Sequence, residues 1–193
     1  MNFSFFLNRI KNLIIDPVKA WEVIHSENRP ISQASNSFLY PLLILGAVSA
    51  FLGSFLFSHN GLHPSYFVLT GIKYLLVMFI AIYITALVLK EITKVLDLSC
   101  NFATAYKLVI FSTAPLLLCQ VLSRLFESFI FVNILSFYGL YVFWAGISIM
   151  IETPTNKKLP LLIAAGITFF GTFVISSWLL TRIIDKLYFL LFA

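Results

Sequence analysis

The hydrophobic pattern of this chain is dominated by five long runs of apolar residues that contain almost no charge. They cover residues 38–57, 66–89, 103–121, 129–151 and 159–180. An α-helix rises about 1.5 Å per residue, so about 20 apolar residues cross a hydrocarbon core about 30 Å thick. Because lipid offers no hydrogen-bond partner to a bare amide, each run is expected to be helical. The pattern predicts an all-α fold, a polytopic transmembrane helical bundle with five spans.

A shorter amphipathic pattern precedes the spans. At the very start of the chain apolar side chains recur at helical spacing, with polar and basic side chains on the opposite side. Asp16 and Pro17 are then typical of a helix start, and the helix that follows carries Trp21. We expect residues 1–37 to form a cytoplasmic N-terminal segment of interfacial helices, in which Trp21 is the anchor at the lipid headgroups. Residues 38–193 then form the five-helix transmembrane domain.

Composition and charge agree with this class and predict an orientation. The chain is 60% hydrophobic and 11% charged, whereas soluble domains carry roughly 25% charged residues. If the spans alternate, nine of the 13 Lys and Arg residues fall on the side of the N-terminus. This excess predicts a cytoplasmic N-terminus and an external C-terminus. The basic residues do not cluster on a soluble face, so the expected partner is the lipid bilayer and not nucleic acid.

The third span contains a proline near its middle. Pro115 removes a backbone hydrogen bond and crowds the carbonyl four residues earlier, so we expect the helix to kink or break there. Ser112 and Thr113 are placed to hydrogen-bond the freed carbonyls, which is how proline is tolerated in lipid. The sequence leaves open whether this feature is a static kink or a hinge in a helix that moves.

Lys73 lies about two turns into the second span, where a charge is costly unless it is paired or reaches water. Its long side chain can extend to the interface or form a structural ion pair. The alternative is that it lines a path for a solute or for protons. Alternation of the spans places three polar groups in the same half of the membrane as Lys73, and the sequence leaves open whether Lys73 meets them: Gln120, Asn133 and Tyr138.

Three further polar residues lie near one edge of the membrane. Tyr106 and Lys107 begin the third span, and Glu152 follows the fourth on the same side. The sequence therefore allows an ion pair between Lys107 and Glu152. Anchoring of these side chains at the interface is the alternative interpretation.

The sequence contains none of the short motifs that carry catalysis or cofactor binding. His59 and His63 have the i, i+4 spacing of a zinc pair on a helix, but Asn60 and Gly61 between them argue against a helix, and no third ligand is near. Lys73 is the one ionisable residue expected deep in a span, whereas intramembrane catalysis needs at least two. We therefore predict no enzyme activity, no metal site and no cofactor.

Several residues that begin or interrupt the predicted helices resemble those of a known protein family. They are Pro17, Trp21 and Ile24 before the spans, Tyr40 and Pro41 at the first span, and residues 101–107 leading to 112–115 in the third. With these features nearly the whole chain resembles the Yip-domain family, five-pass membrane proteins named after their interaction with Ypt/Rab GTPases, in a compact bacterial-like version. The resemblance implies a non-enzymatic protein of the bacterial inner (plasma) membrane, with its N-terminus in the cytoplasm and its C-terminus outside.

Two functions are compatible with these features. The first is a membrane-organising or adaptor protein, whose interfacial helices form a cytoplasmic face for protein partners or which assembles with copies of itself. The second is a transporter or channel for a small solute or a lipid, in which Pro115 and Lys73 line the path. The candidate functional residues within the spans are Lys73, Tyr106, Lys107, Ser112, Thr113, Pro115, Gln120 and Glu152.

Overall fold

The fold is helical throughout the part of the chain that a computed structural model describes, residues 3–57 and 64–192, apart from short turns. Five stretches of this part are long and apolar enough to cross a bilayer: Ile31–Phe57, Pro64–Val95, Phe102–Leu125, Ser128–Met150 and Thr155–Leu190. They coincide with the five predicted runs, so the predicted all-α class with five spans is confirmed. His59 and His63 lie outside the described residues.

Two short helices come first: α1 (Phe3–Ile15) and α2 (Pro17–Glu27). The chain reverses at Asp16, whose carboxylate accepts a hydrogen bond from the backbone N–H of Lys19 at 3.2 Å. Asp16 is therefore the N-cap and Pro17 the first helical residue, as predicted. Arg9 of α1 pairs with Glu27 at the end of α2 at 2.5 Å. The two helices form a hairpin closed at its open end by an ion pair.

The first two spans differ in regularity. The first begins with α3 (Ile31–Ala34), passes through a π-helical turn (Ser35–Leu39) and continues as α4 (Tyr40–Phe57). The second is one long helix, α5 (Pro64–Val95). It ends where Asp97 adopts a left-handed conformation with φ of 53°. The N–H of Leu98 then bonds to the carbonyl of Thr93 at 2.8 Å, which closes the helix end.

The third and fourth spans are both interrupted, and the fifth is continuous. The third consists of α6 (Phe102–Ser112) and α7 (Ala114–Leu125), the fourth of a 3₁₀ segment (Glu127–Phe137) and α8 (Tyr138–Met150), and the fifth of α9 (Thr155–Phe192). The side chain of Asn101 caps α6 by accepting from the N–H of Thr104 at 2.8 Å. The 3₁₀ segment is far longer than the usual three or four residues, and Phe129 departs from helical geometry within it.

The long helix α5 packs along α4 and α9 and against α6. Its buried side chains include Met78, Ile82 and Leu89. Large apolar side chains are exposed on the outward faces of the spans, among them Ile44, Ile72, Ile163, Ile167 and Ile175. An apolar outer surface of this extent is stable against lipid and not against water.

The hairpin of α1 and α2 belongs to the same core as the spans. The hydroxyl of Tyr138 donates to the carbonyl of Ile14 at 2.8 Å, and the indole N–H of Trp21 donates to the carbonyl of Val142 at 2.8 Å. These two bonds place α2 alongside α8, with the tip of the hairpin beside Tyr138 at the start of α8. The described part of the predicted N-terminal segment, residues 1–37, thus packs against the spans and shares their hydrophobic core.

Candidate functional site

Trp21 lies inside the protein. Its side chain is 0% exposed, and its ring makes an edge contact with Phe111, with 5.9 Å between the centroids. Gly146 leaves the necessary space, since a Cβ at that position would lie 2.6 Å from the indole. The prediction that Trp21 is an anchor at the lipid headgroups is therefore wrong, because the side chain packs in the protein core. The physical reason is that α2 turns its apolar side toward α8 and not toward lipid.

The third span breaks just before Pro115, as predicted. Helix α6 ends at Ser112, α7 begins at Ala114, and Thr113 lies between them. The Thr113 hydroxyl donates to the carbonyl of Ile110 at 3.0 Å, so this residue satisfies a backbone group at the break. Ser112 departs from the prediction, because its buried hydroxyl has no hydrogen-bond partner among the described residues.

The fourth span approaches this break closely. Gly139, at the start of α8, faces the carbonyl of Ser112, and a Cβ built on Gly139 would lie 2.6 Å from that oxygen. Only glycine permits this approach. The fourth span also changes from 3₁₀ to α geometry at Tyr138, directly beside the contact. Two irregular helices therefore meet at one level, and regular ridge-into-groove packing is interrupted there.

A cavity of about 70 Å³ lies at this level. Its walls include Ser112 and Thr113 of the break and Ala165 and Gly166 of α9. A second cavity, of about 190 Å³, lies next to it along α7. The wall residues that the two cavities share are Leu116, Ser136, Phe137, Phe169 and Phe170. We call the two together the break cavity, a candidate site between the third, fourth and fifth spans.

The break cavity combines apolar walls with unpaired polar atoms. Ser112 Oγ, Ser136 Oγ and Gln120 Oε1 are buried there without a hydrogen-bond partner in the described part of the chain. Leaving such a group unpaired costs about 1–3 kcal/mol. Phe137 and Phe170 are wall residues with large exposed surfaces, so the cavity opens sideways toward lipid. The site offers aromatic surface together with hydroxyl donors.

A small polar network lies at the end of the break cavity beside Gln120. Gln120 and Asn133 both line the larger cavity. The hydroxyl of Ser123 donates to Asn133 Oδ1 at 3.2 Å, and Asn133 Nδ2 donates to the carbonyl of Ile130 at 3.0 Å. Asn133 is thereby held in place by its neighbours. Gln120 keeps an unpaired acceptor for a ligand or for water.

Lys73 lies away from the break cavity. Its ammonium donates to the hydroxyl of Thr181 on α9 at 3.4 Å. Arg124 and Asp185 are close enough to act on it electrostatically. In the described structure Lys73 forms no hydrogen bond with the three polar groups that the sequence places in the same half of the membrane: Gln120, Asn133 and Tyr138. The reason is that α9 packs along α5 and supplies the neighbours of Lys73 instead.

The polar residues at the other end of the bundle do not, within the described structure, form the ion pair that the sequence allows. Tyr106 and Ser35 share a hydrogen bond between their hydroxyls at 3.4 Å. Lys107 is buried beside Arg9 of the hairpin, and Glu152 is exposed in the turn after α8. The ion pairs formed by the described residues do not join Lys107 to Glu152. The hairpin covers Lys107 and so separates the two.

Sequence reasoning missed three residues: Arg124, Ser136 and Gly139. The third apolar run ends at residue 121, but α7 continues to Leu125 and so carries Arg124 within the span. Ser136 is a single hydroxyl in an apolar run and gives no signal by itself. Gly139 does give a usable signal, because a glycine at the level of a proline on the neighbouring span indicates that the two helices approach closely there.

In a comparison with known protein families, the model of the Yip1 domain matches residues 11–180 of the chain. The match begins within α1 and includes the helix that carries Trp21. The comparisons with curated proteins and with solved structures gave no match.

Proposed function

Since the chain belongs to the Yip1 domain family, with spans that enclose a cavity open to lipid, we propose that it is a non-enzymatic membrane protein that binds a lipid chain in the break cavity. By holding that chain between the third, fourth and fifth spans it organises the lipid next to it. The observation that carries the proposal is the combination of aromatic walls, a lateral opening and unpaired hydroxyls in one cavity.

The unpaired hydroxyls restrict the kind of lipid. Ser112 and Ser136 can each donate one hydrogen bond, and the surrounding walls are largely apolar. An ester carbonyl on a hydrocarbon chain satisfies both conditions, because it accepts hydrogen bonds and its chain covers the aromatic surface. A glycerolipid is therefore the expected occupant. A glycerolipid occupant agrees with the hypothesis that the protein transports a lipid. The contacts of Lys73 do not support the part of that hypothesis in which Lys73 lines the transport path.

Filling the cavity tests this proposal. Gly166 lines the cavity, and a Cβ there would meet only Leu140, at 3.9 Å. A Gly166→Phe ring fits the empty space and displaces a lipid chain. The matched control is Gly171→Phe, on the same helix, because a Cβ at Gly171 meets nothing within 4 Å and the residue is exposed.

The readout is labelling by a phosphatidylglycerol analogue that carries a diazirine in its acyl chain, with the protein reconstituted in vesicles. We expect labelling of Leu116, a cavity wall, to fall about tenfold in Gly166→Phe, which corresponds to about 1.4 kcal/mol. Labelling of Ile175 on the outer surface should stay unchanged in both variants. Equal labelling of Leu116 in the two variants would contradict the proposal.

The orientation is also proposed and has its own support. The nine basic residues at the N-terminal side, against four on the other, favour a cytoplasmic N-terminus and an external C-terminus in a bacterial inner membrane. Single cysteines at Asn156 and Lys186, in a chain without Cys100 and Cys119, test this. A membrane-impermeant maleimide should label the second and not the first in intact cells. Labelling of both from outside would contradict the orientation.

A second candidate function is an adaptor that binds a protein partner through the hairpin. It is favoured by apolar side chains on the outer side of α1 and α2, since Ile15, Val18 and Val23 are all substantially exposed beside the charged Lys19. A photo-crosslinker at Val23 tests it, with one at exposed Lys94 as the control. A discrete protein adduct from Val23 alone supports the adaptor, and lipid adducts alone count against it.

A further inference from the structure

A second polar site lies on the far side of the bundle from the α1–α2 hairpin, where the third span ends beside the second. The guanidinium carbon of Arg124 lies 5.0 Å from the centroid of the Tyr74 ring. Lys73, the residue before Tyr74, lies close enough to Arg124 for the two positive charges to repel. We propose that this pair of basic residues binds a phosphate oxyanion.

Arg124 is a desolvated cation that forms no ion pair with another described side chain. Its Nε is buried and has no hydrogen-bond partner in the described residues, while the side chain as a whole is partly exposed and so can be reached. The ion pairs of the described chain do not include it. Arginine remains protonated even when buried, so the unmet donor cannot be removed by loss of a proton. An anion is the group that satisfies it.

The position of Arg124 is imposed by the backbone. A Cβ at Gly53 would overlap the carbonyl oxygen of Arg124, so α4 and the end of α7 touch without an intervening side chain. The Tyr74 ring is 3% exposed and lies under the guanidinium. The contact with α4 thus fixes the backbone of Arg124, and the Tyr74 ring on α5 supports its guanidinium. A preorganised guanidinium loses little freedom when it binds an anion.

The two basic residues differ in their described neighbours. Asp185 on α9 acts on Lys73 electrostatically, and Thr181, one turn earlier on α9, accepts the hydrogen bond of the Lys73 ammonium at 3.4 Å. No described carboxylate forms an ion pair with Arg124. Among the described side chains the charge of Arg124 is therefore unmatched in a low-dielectric setting, where it attracts a counter-ion strongly.

Phosphate is the oxyanion that fits this place. Arginine binds phosphate oxygens with two parallel N–H donors, and lysine adds a point charge. Arg124 is one residue from the end of α7, so its guanidinium lies near the level of the lipid headgroups, while Lys73 lies about two turns into the membrane from the start of α5. The phosphate comes either from a phospholipid headgroup or from the aqueous phase. Neither residue lines the break cavity, so this inference does not depend on the proposed function.

The test uses the full chain, purified in mild detergent, with three probes: phosphatidylglycerol, phosphatidylcholine with the same acyl chains, and inorganic phosphate. The variants are Arg124→Gln and Lys73→Met. The control is Arg182→Gln, because Arg182 is an exposed arginine on α9 over the ring of Trp178. The measurements are the midpoint of thermal unfolding with each probe and the phospholipid retained after delipidation, by native mass spectrometry.

We expect phosphatidylglycerol to raise the unfolding midpoint of the wild type and of Arg182→Gln, and retained lipid to fall about tenfold in Arg124→Gln. We expect Lys73→Met to lose retained lipid as well, but by a smaller factor. This second variant keeps the test decisive if Arg124→Gln does not fold. Stabilisation by inorganic phosphate and not by lipid assigns the site to a soluble anion, and equal effects of both phospholipids assign it to the phosphodiester itself. The inference is overturned if Lys73→Met retains as much lipid as Arg182→Gln and unfolds at the same midpoint. The same comparison applies to Arg124→Gln if that variant folds.

Discussion

Gly139 faces the carbonyl oxygen of Ser112 with no room for a side chain between them. This contact joins the third and fourth spans at the level where each is irregular. It fixes the height at which the break and the start of α8 meet. The break cavity lies beside this contact and shares both residues in its wall.

The first prediction concerns this contact. Gly139→Ala would place its Cβ 2.6 Å from the Ser112 oxygen, and because the obstacle is backbone, one of the spans has to shift. Such overpacking costs about 1–3 kcal/mol, so we expect a lower midpoint of thermal unfolding in detergent. Gly171→Ala is the control, since nothing lies within 4 Å of its Cβ. If the two variants unfold at the same temperature, the close approach does not exist.

The second prediction concerns Trp21. Trp21→Phe removes the buried hydrogen bond to the Val142 carbonyl and vacates part of the core. We expect a loss of about 1–3 kcal/mol in the free energy of unfolding. Trp178→Phe should change stability little, because that ring is 61% exposed on α9. A larger loss for Trp178→Phe would indicate that Trp21 lies at a surface after all.

The third prediction separates the two hydroxyls at the break. Thr113→Val removes the donor to the Ile110 carbonyl at 3.0 Å and should lower stability by about 1 kcal/mol. Ser112→Ala removes an unpartnered buried hydroxyl, so delipidated protein should be as stable as wild type or slightly more stable. The same Ser112→Ala change should reduce acyl-chain labelling of Leu116. Destabilisation by Ser112→Ala in delipidated protein would mean that the hydroxyl has a protein partner.

The fourth prediction is a pH dependence in the hairpin. The side-chain hydrogen bond from Lys19, followed by the backbone N–H of Lys19, holds the pKa of Asp16 below its ordinary value of 3.8. A carboxyl whose pKa is lower in the folded state stabilises the fold above its unfolded pKa, and this stabilisation is lost as the pH falls through the folded pKa. The pair is exposed, so the effect is small.

Asp16→Asn is the matched variant for this test, because it keeps a side-chain oxygen for the helix cap and removes the charge. Amide hydrogen exchange in the first turn of α2 is the measurement. We expect wild type to be better protected than Asp16→Asn at neutral pH, the difference to shrink as the pH falls below about 4, and to disappear only below the lowered pKa of Asp16 in the folded protein. A difference that persists in acid would show that the charge of Asp16 does not contribute.

Local chemistry was sufficient for several features. The five spans follow from uninterrupted apolar runs, because a helix of that length and composition has only lipid as a suitable solvent. The break before Pro115 follows from the missing N–H of proline, and the start of α2 from the cap at Asp16. The family was also recognisable from short punctuating motifs. All of these depend on residues within a few positions of each other.

Tertiary structure alone decided which side chains meet. The amphipathic pattern around Trp21 is the same whether its apolar side faces lipid or another helix, and only the packing on α8 placed the ring in the core. The neighbours of Lys73 and the position of Arg124 depend on how α9 and α4 pack beside them. In lipid, both protein and solvent are apolar, so hydrophobicity does not report how a helix is rotated about its axis. That rotation is set by close contacts such as the one between Gly139 and Ser112.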